Sequence, residues 1–494
     1  MGVALLLAAC SQSVPTRTTP SAGNDLPDVP LTVRPAQPNC SADAQAGLAR
    51  LVPFNKISGQ NYLPAARLQA QADLPANLQS LLFTTRSLIN SHYYGFSTVD
   101  LQALHHKYEA IFRQGRPGSL ALYPIDDAVD ETMGQYIDEI KDGHTYYLDA
   151  ASAQAYRDSQ AGNPTPTPRF GFVSALVPDA DGVLVLDVTA DAPFYAAGLR
   201  RGDVLTELNG QAFTRVDTSE TKEGDAKNSA AFGKIISAAA ALKAPVTLKY
   251  LRKGEAKTVQ VAARIISSTP LPWGELAADP SGQKHFYLRI PTFSGNGIAD
   301  RVHALVSQAK ADGAADVIVD LRDNGGGLIT EFVGAAGAFA PTAAGEVLED
   351  LTSNDVTIRY NAGAGRIEAT DACNDTPYAQ PIAHPDVWTG KTVILTTEGS
   401  ASASELFSQV LRLGGNTRII GEKTYGVGNT FTYIFDEPGN PERALSVTSG
   451  RGKLLNGQYA SEDVTPDETQ PDDLGALAQG NDLALNAAFG YLDK

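Results

Sequence analysis

From residue 44 to about residue 148 the apolar positions recur at three- and four-residue spacing, as in 78–90 and 101–114, which predicts helices with one buried face. That pattern breaks at 158–169, where Pro164, Pro166 and Pro168 remove backbone donors and mark a linker. From Phe170 to about Ile265 short β-type runs follow, at Val183–Val188, Val204–Leu208, 246–251 and 258–263, separated by Gly and Asp turns. This stretch reads as an all-β module. From about Lys284 onward strands alternate with helices: strand 285–290, helix Ile298–Ala311, strand 316–321, a glycine turn, a second helix, strand 391–397 and helix Ala403–Leu413. Such alternation predicts an α/β layer structure around a mostly parallel sheet, with chemistry at the strand-to-helix turns. The expected architecture is a multidomain α+β chain, with a helical N-terminal domain at 44–160, the β module at 168–265 and an α/β core at 270–494.

Composition narrows the function. Against 39 basic side chains stand 56 acidic ones, a formal charge of −17, and no block of Lys or Arg offers a footprint for phosphate backbones. Nucleic acid is therefore not expected as a partner. Residues 1–10 form an apolar run ending in Leu7-Ala8-Ala9-Cys10, and 11–43 are rich in Ser, Thr, Pro and Asn, as in a signal segment followed by a solvated tether. The Leu-Ala-Ala-Cys stretch resembles a bacterial lipobox, which implies a lipid on Cys10 and attachment to the cell envelope facing the periplasm or exterior. No Lys or Arg precedes the apolar run, so the translation start is expected upstream of Met1. With Cys10 assigned to lipid, Cys40 and Cys373 stand either as a disulfide or as two thiols. No cysteine or histidine pair has metal-ligand spacing, and no apolar run approaches the roughly 20 residues that span a bilayer. No metal or cofactor is expected.

Three motifs carry the chemistry. Ala192-Pro-Phe-Tyr-Ala-Ala-Gly198-Leu-Arg-Arg-Gly202-Asp203, running on to Asn209-Gly210, resembles the PDZ signature. The resemblance places Phe170, Gly171, Phe172 and Val173 at the loop and strand that receive a peptide's C-terminal carboxylate by β-augmentation. Asp320-Leu-Arg322-Asp323-Asn324-Gly325-Gly326-Gly327 runs from a buried strand into three glycines, which permit positive φ and expose N–H groups. Gly399-Ser400-Ala401-Ser402-Ala403-Ser404-Glu405 ends one strand and opens a helix, whose N-terminus favours a developing oxyanion. Ser402-x-x-Glu405 is equally a helix capping box.

Together the last two motifs resemble those of peptidase family S41, the tail-specific or C-terminal processing peptidases, whose order of helical part, PDZ domain and α/β core of the ClpP/crotonase-like type matches this chain. The resemblance implies a serine endopeptidase acting on exported polypeptides, with Ser402 as nucleophile and an oxyanion hole from the Ala403 and Gly326 N–H groups. The family's lysine base lies in a Gly-Glu-x-Thr-x-Gly-Lys-Gly stretch, but here Gly421-Glu422-Lys423-Thr424-Tyr425-Gly426-Val427-Gly428 puts valine in its place. Lys423, four residues earlier, is one alternative base. The other is His144 in Asp142-Gly143-His144-Thr145, which resembles the histidine motif of a tricorn-like branch of the family. In that branch a glutamate near a Pro-Asp motif completes the relay. Glu462, just ahead of Pro466-Asp467, is the candidate, with Glu422 as fallback.

Overall fold

The computed structural model describes residues 36–38, 74–95, 99–114, 124–161, 163, 167–219, 221–278, 282–351, 353–437 and 440–493. Cys10 and Cys40 lie outside these residues. The chain divides into two compact units, one holding 52–155 with 432–450, the other 156–431 with 451–494.

In the first unit the apolar spacing does form helices, at Ala76–His92, Leu101–Arg113 and Asp127–Asp138. The side chains of Asp100 and Asp126 accept the Ala103 and Val129 N–H groups, each at 3.1 Å, and so fix two helix starts. Leu78, Leu82, Ile89, Phe112, Met133 and Ile137 form the core, joined by Leu445 and Val447 from the C-terminal part of the chain. Those two arrive on the strand Asn440–Leu454, which pairs antiparallel with Tyr146–Leu148, Tyr146 opposite Ser446. Residues 432–450, expected within the α/β core, therefore cluster with the helices. The helix Ala150–Ala161 also runs four residues into the stretch read as linker, because the first proline comes only at Pro164.

Within the second unit, the β module forms a sheet in the order Phe172–Leu176, Val183–Val188, Val204–Leu208, Val246–Arg252 and Glu255–Val261, with Gln211–Ala212 on Val204–Leu208. It is not all-β. The helix Lys222–Ala241 packs against it, started by the Thr221 side chain accepting the Gly224 N–H at 3.1 Å. The α/β core is a six-stranded sheet in the order Glu468–Thr469, Thr417–Gly421, Thr392–Thr396, Val317–Asp320, Lys284–Arg289 and Trp273–Ala278. All neighbours are parallel except the last pair. A second, antiparallel set, Gly345–Asp350, Val356–Asn361, Arg366–Asp371 and Asn374–Pro381, meets the helix Ile329–Gly337. One apolar cluster runs from Phe170, Phe194 and Leu205 of the β module to Ile318, Val393 and Ile420 of the parallel sheet, so these two parts share a core.

Candidate active site

Val317–Asp320 and Thr392–Thr396 lie side by side at the middle of the parallel sheet, with Asp320 in register with Leu395. Their carboxyl ends therefore release the glycine turn and the serine turn into the same crevice, the position at which parallel sheets build sites.

Hydrogen bonds lace the two turns together. Asn324 is the centre: its carbonyl accepts the Ala401 N–H at 3.0 Å and the Ser404 Oγ at 2.7 Å, while its Nδ2 donates to the Ile290 carbonyl at 2.9 Å. Ser400 Oγ donates to the Leu321 carbonyl at 2.8 Å, and Thr397 Oγ1 accepts the Asp323 N–H at 2.9 Å. Gly326 has φ 94°, and a Cβ there would stand 2.7 Å from the Ala401 oxygen and 2.9 Å from the Ala403 nitrogen. Only glycine allows the two backbones to lie this close.

Ser402 sits at φ 55° and ψ −115° as the N-cap of Ala403–Leu413, half-buried, with Glu405 as its capping-box partner. A cap residue ordinarily takes β-region angles. The left-handed strain, of order 1–3 kcal/mol, is therefore not demanded by capping. It matches the sharp strand-to-helix elbow that lifts a nucleophilic serine above a sheet. Ala403 is the first helical residue, and its N–H has no partner among the described residues, as a first-turn donor should. Gly326, expected as the second oxyanion donor, instead gives its N–H to Asn324 Oδ1 at 2.9 Å. Gly325 and Gly327 carry the N–H groups of this turn that lack partners among the described residues.

Lys423 fails the requirement for a base. Its side chain is 61% exposed and donates to Asp463 Oδ2 at 2.8 Å, an ion pair that raises its pKa rather than depressing it. Val427, in the family's lysine position, is buried. Glu462 is exposed, its carbonyl accepting the Gly428 N–H at 2.7 Å. Glu422 Oε1 and Oε2 accept the N–H groups of Asp472 and Glu398, at 3.1 and 3.3 Å. His144 belongs to the first unit. There its N–H donates to Asp142 Oδ1 at 3.1 Å, and its carbonyl accepts Ser446 Oγ at 3.0 Å. Burial pushes its imidazole down to about 4, with Asp142 opposing, so the ring is neutral at neutral pH.

The charged residues of the Asp320-Leu-Arg322 motif are structural. Burial would raise the Asp320 carboxyl, but the Arg322 and Arg289 guanidiniums outweigh it and hold the group well below the usual carboxylate range. Arg322 Nη1 also reaches Asp482 Oδ1 at 2.8 Å, and the Tyr287 hydroxyl donates to Asp320 Oδ2 at 2.6 Å. In the β module, Phe172–Leu176 is an edge strand, Gly171 takes φ 77° and Val173 is 55% exposed. Phe170 points inward, 2% exposed and stacked on Phe194 at 4.9 Å between ring centres. Cys373 is disulfide-bonded.

A strained serine at a helix N-terminus beside a glycine turn, in a parallel sheet that shares its core with a PDZ-like module, defines a serine hydrolase of the PDZ-bearing type. Residues 284–470 match the model of peptidase family S41, and 168–263 that of the PDZ domain. The chain is 24% identical over 374 residues to the carboxyl-terminal-processing protease of a Picosynechococcus species, covering 74% of this chain and 80% of that one. To the chloroplastic C-terminal processing peptidase of Tetradesmus obliquus it is 26% identical over 440 residues, covering 85% and 84%. The solved structure of a candidate S41 protease from Bacteroides fragilis shares the fold, with a TM-score of 0.51 at 16% identity over 78% of this chain and 97% of that one. Residues 284–470 thus form a domain of the peptidase family S41 type, and the chain is a serine-type peptidase.

Proposed function

We propose that the chain is an exported endopeptidase in which Ser402 attacks the scissile carbonyl and the Ala403 N–H, with one from Gly325 or Gly327, holds the oxyanion. The observation that carries this reading is the left-handed Ser402 at the start of Ala403–Leu413, a conformation that its capping role leaves unexplained. Each oxyanion donor is typically worth about 3 kcal/mol of barrier. His144 is the general base we assign, and Glu462 the acid of the relay. The neutral imidazole and the ion-paired, exposed Lys423 both favour histidine over lysine. The acyl-enzyme is then released by water that His144 deprotonates.

Substrate tails enter along the PDZ edge strand Phe172–Leu176, whose outer edge pairs with no strand among the described residues. The Leu-Ala-Ala-Cys10 sequence supports a lipid anchor and hence envelope polypeptides as substrates. A fluorophosphonate probe tests the core of the proposal: the wild type should be labelled and should cleave an unfolded polypeptide, and Ser402→Ala should do neither. Equal behaviour of the two proteins would leave a PDZ-bearing scaffold that binds polypeptides without cutting them.

A further inference from the structure

Ser402 must be kept in an unfavourable backbone conformation by its surroundings, and most of that work converges on one side chain. Glu405 is 0% exposed. Its Oε2 accepts the Ser402 N–H at 2.7 Å and the Val427 N–H at 3.0 Å. Its Oε1 accepts the Thr424 Oγ1 at 2.6 Å and the Gly426 N–H at 2.8 Å. An ordinary capping box would use only the first of these bonds. The other three come from a loop 19 to 22 residues further along the chain.

We propose that Glu405 is a positioning residue for catalysis, clamping the Ser402 backbone to the 424–427 loop so that the nucleophile stays in its strained elbow; this rests on Ser402 being the nucleophile. Each carboxylate oxygen already accepts two donors, which leaves no free lone pair for a proton-transfer role. The same loop is tied to the serine turn a second time, through the Tyr425 N–H and the Ser400 carbonyl at 3.0 Å. Space is fitted as closely as charge: a Cβ on Gly428 would stand 2.6 Å from the Glu405 Cβ. Val427, at the position where the family resemblance expects lysine, contributes only its backbone N–H to this clamp.

The two oxygens predict different effects for two substitutions. In Glu405→Gln the amide oxygen can keep the Oε2 place, with both Ser402 and Val427 N–H groups satisfied. Its NH₂ then faces Thr424, whose hydroxyl can turn to accept, and only the Gly426 N–H is stranded. In Glu405→Ala all four donors lose their acceptor. Wild type, Glu405→Gln, Glu405→Ala and Thr424→Val should be compared for kcat, KM, rate of fluorophosphonate labelling and melting temperature. A misplaced nucleophile costs on the order of 100-fold. Glu405→Ala should therefore lose about that factor in kcat and in labelling rate with KM within about twofold, and Glu405→Gln should recover most of it. Thr424→Val keeps the volume but removes one donor to Glu405 and the acceptor of the Val464 N–H, at 2.8 Å in the wild type, so it should lose kcat by less than Glu405→Ala and still fold. A Glu405→Ala protein that melts lower but turns over and labels like wild type would overturn the clamp; if that variant does not fold, wild-type kcat in both Glu405→Gln and Thr424→Val would do so. An unlabelled, inert wild type would overturn the assignment of Ser402 instead.

Discussion

Burial of the His144 imidazole sets the pH range in which it can act. An exposed histidine would lose its base function as pH fell through about 6.5. With its pKa pushed down to about 4, the ring stays neutral across the whole range from there upward. The acid limb of kcat/KM should accordingly lie near pH 4, not 6.5, and disappear together with activity in His144→Ala. Lys423→Met should leave the profile nearly unchanged, because that ammonium is solvated and ion-paired. An alkaline rise lost in Lys423→Met would reverse the assignment. A second titration belongs to Glu346, which is fully buried with neither oxygen hydrogen-bonded among the described residues. Burial pushes its carboxyl from 4.5 up to about 8. Between those values the native state holds a proton that the unfolded state has released, so stability falls as pH rises through the window. Glu346→Gln should thus melt above wild type at pH 9, the gap closing below about pH 4.5. Parallel melting curves at both pH values would show that the carboxyl carries no such linkage.

Elements differ in how plainly the sequence announces them. Ile298–Ala311 and Ala403–Leu413 were legible to the residue, because each places apolar side chains on one stripe between clear turn residues. The helix Lys222–Ala241 was not. Its buried positions are Gly224, Asn228, Phe232, Ala239 and Ala240, a face too small and too polar to show as an apolar stripe. Its cap, Thr221 followed by acidic residues at 223 and 225, was the signal that could have found it. The strand Asn440–Leu454 falls inside 270–494, the stretch expected as α/β core, because no local pattern reports which distant surface buries Leu445 and Val447. At the site, Ser402 and the glycine turn were readable as motifs, whereas the hydrogen bond that takes the Gly326 N–H depends on a side chain, Asn324, folding back two residues. The contact between the two turns gives a direct test. Gly326→Ala places a methyl against the Ala401 oxygen and the Ala403 nitrogen at a φ that strains any other residue, so the turns must part. kcat should fall on the order of 100-fold, with a stability loss of about 1–3 kcal/mol. Unchanged kcat would mean that the close approach of the turns does not matter to the chemistry.

At the scale of the molecule, the second unit binds its PDZ module to its peptidase sheet through charge as well as through the shared apolar core. Arg201 Nη2 grips Asp472 while its Nε lies 3.3 Å from Asp482, and both acids also meet Arg322 at the root of the glycine turn. Arg289 of the sheet pairs with Asp187 of the module at 2.8 Å and donates to the Asp320 carbonyl at 3.1 Å. Such a network contributes little if simply replaced by apolar groups, but breaking one member strands buried charges at about 3–5 kcal/mol. Arg201→Ala should therefore destabilise both halves at once. Amide hydrogen exchange reads this directly: the strands Val204–Leu208 and Val317–Asp320 should open with one free energy in the wild type, and that free energy should drop for both in the variant. Arg201→Lys should not restore it, since a single ammonium cannot span Asp472 and Asp482 as the planar guanidinium does. If exchange instead separates, with Val204–Leu208 opening early and Val317–Asp320 unaffected by Arg201→Ala, then module and sheet are independent cooperative units and the ion network does not join them.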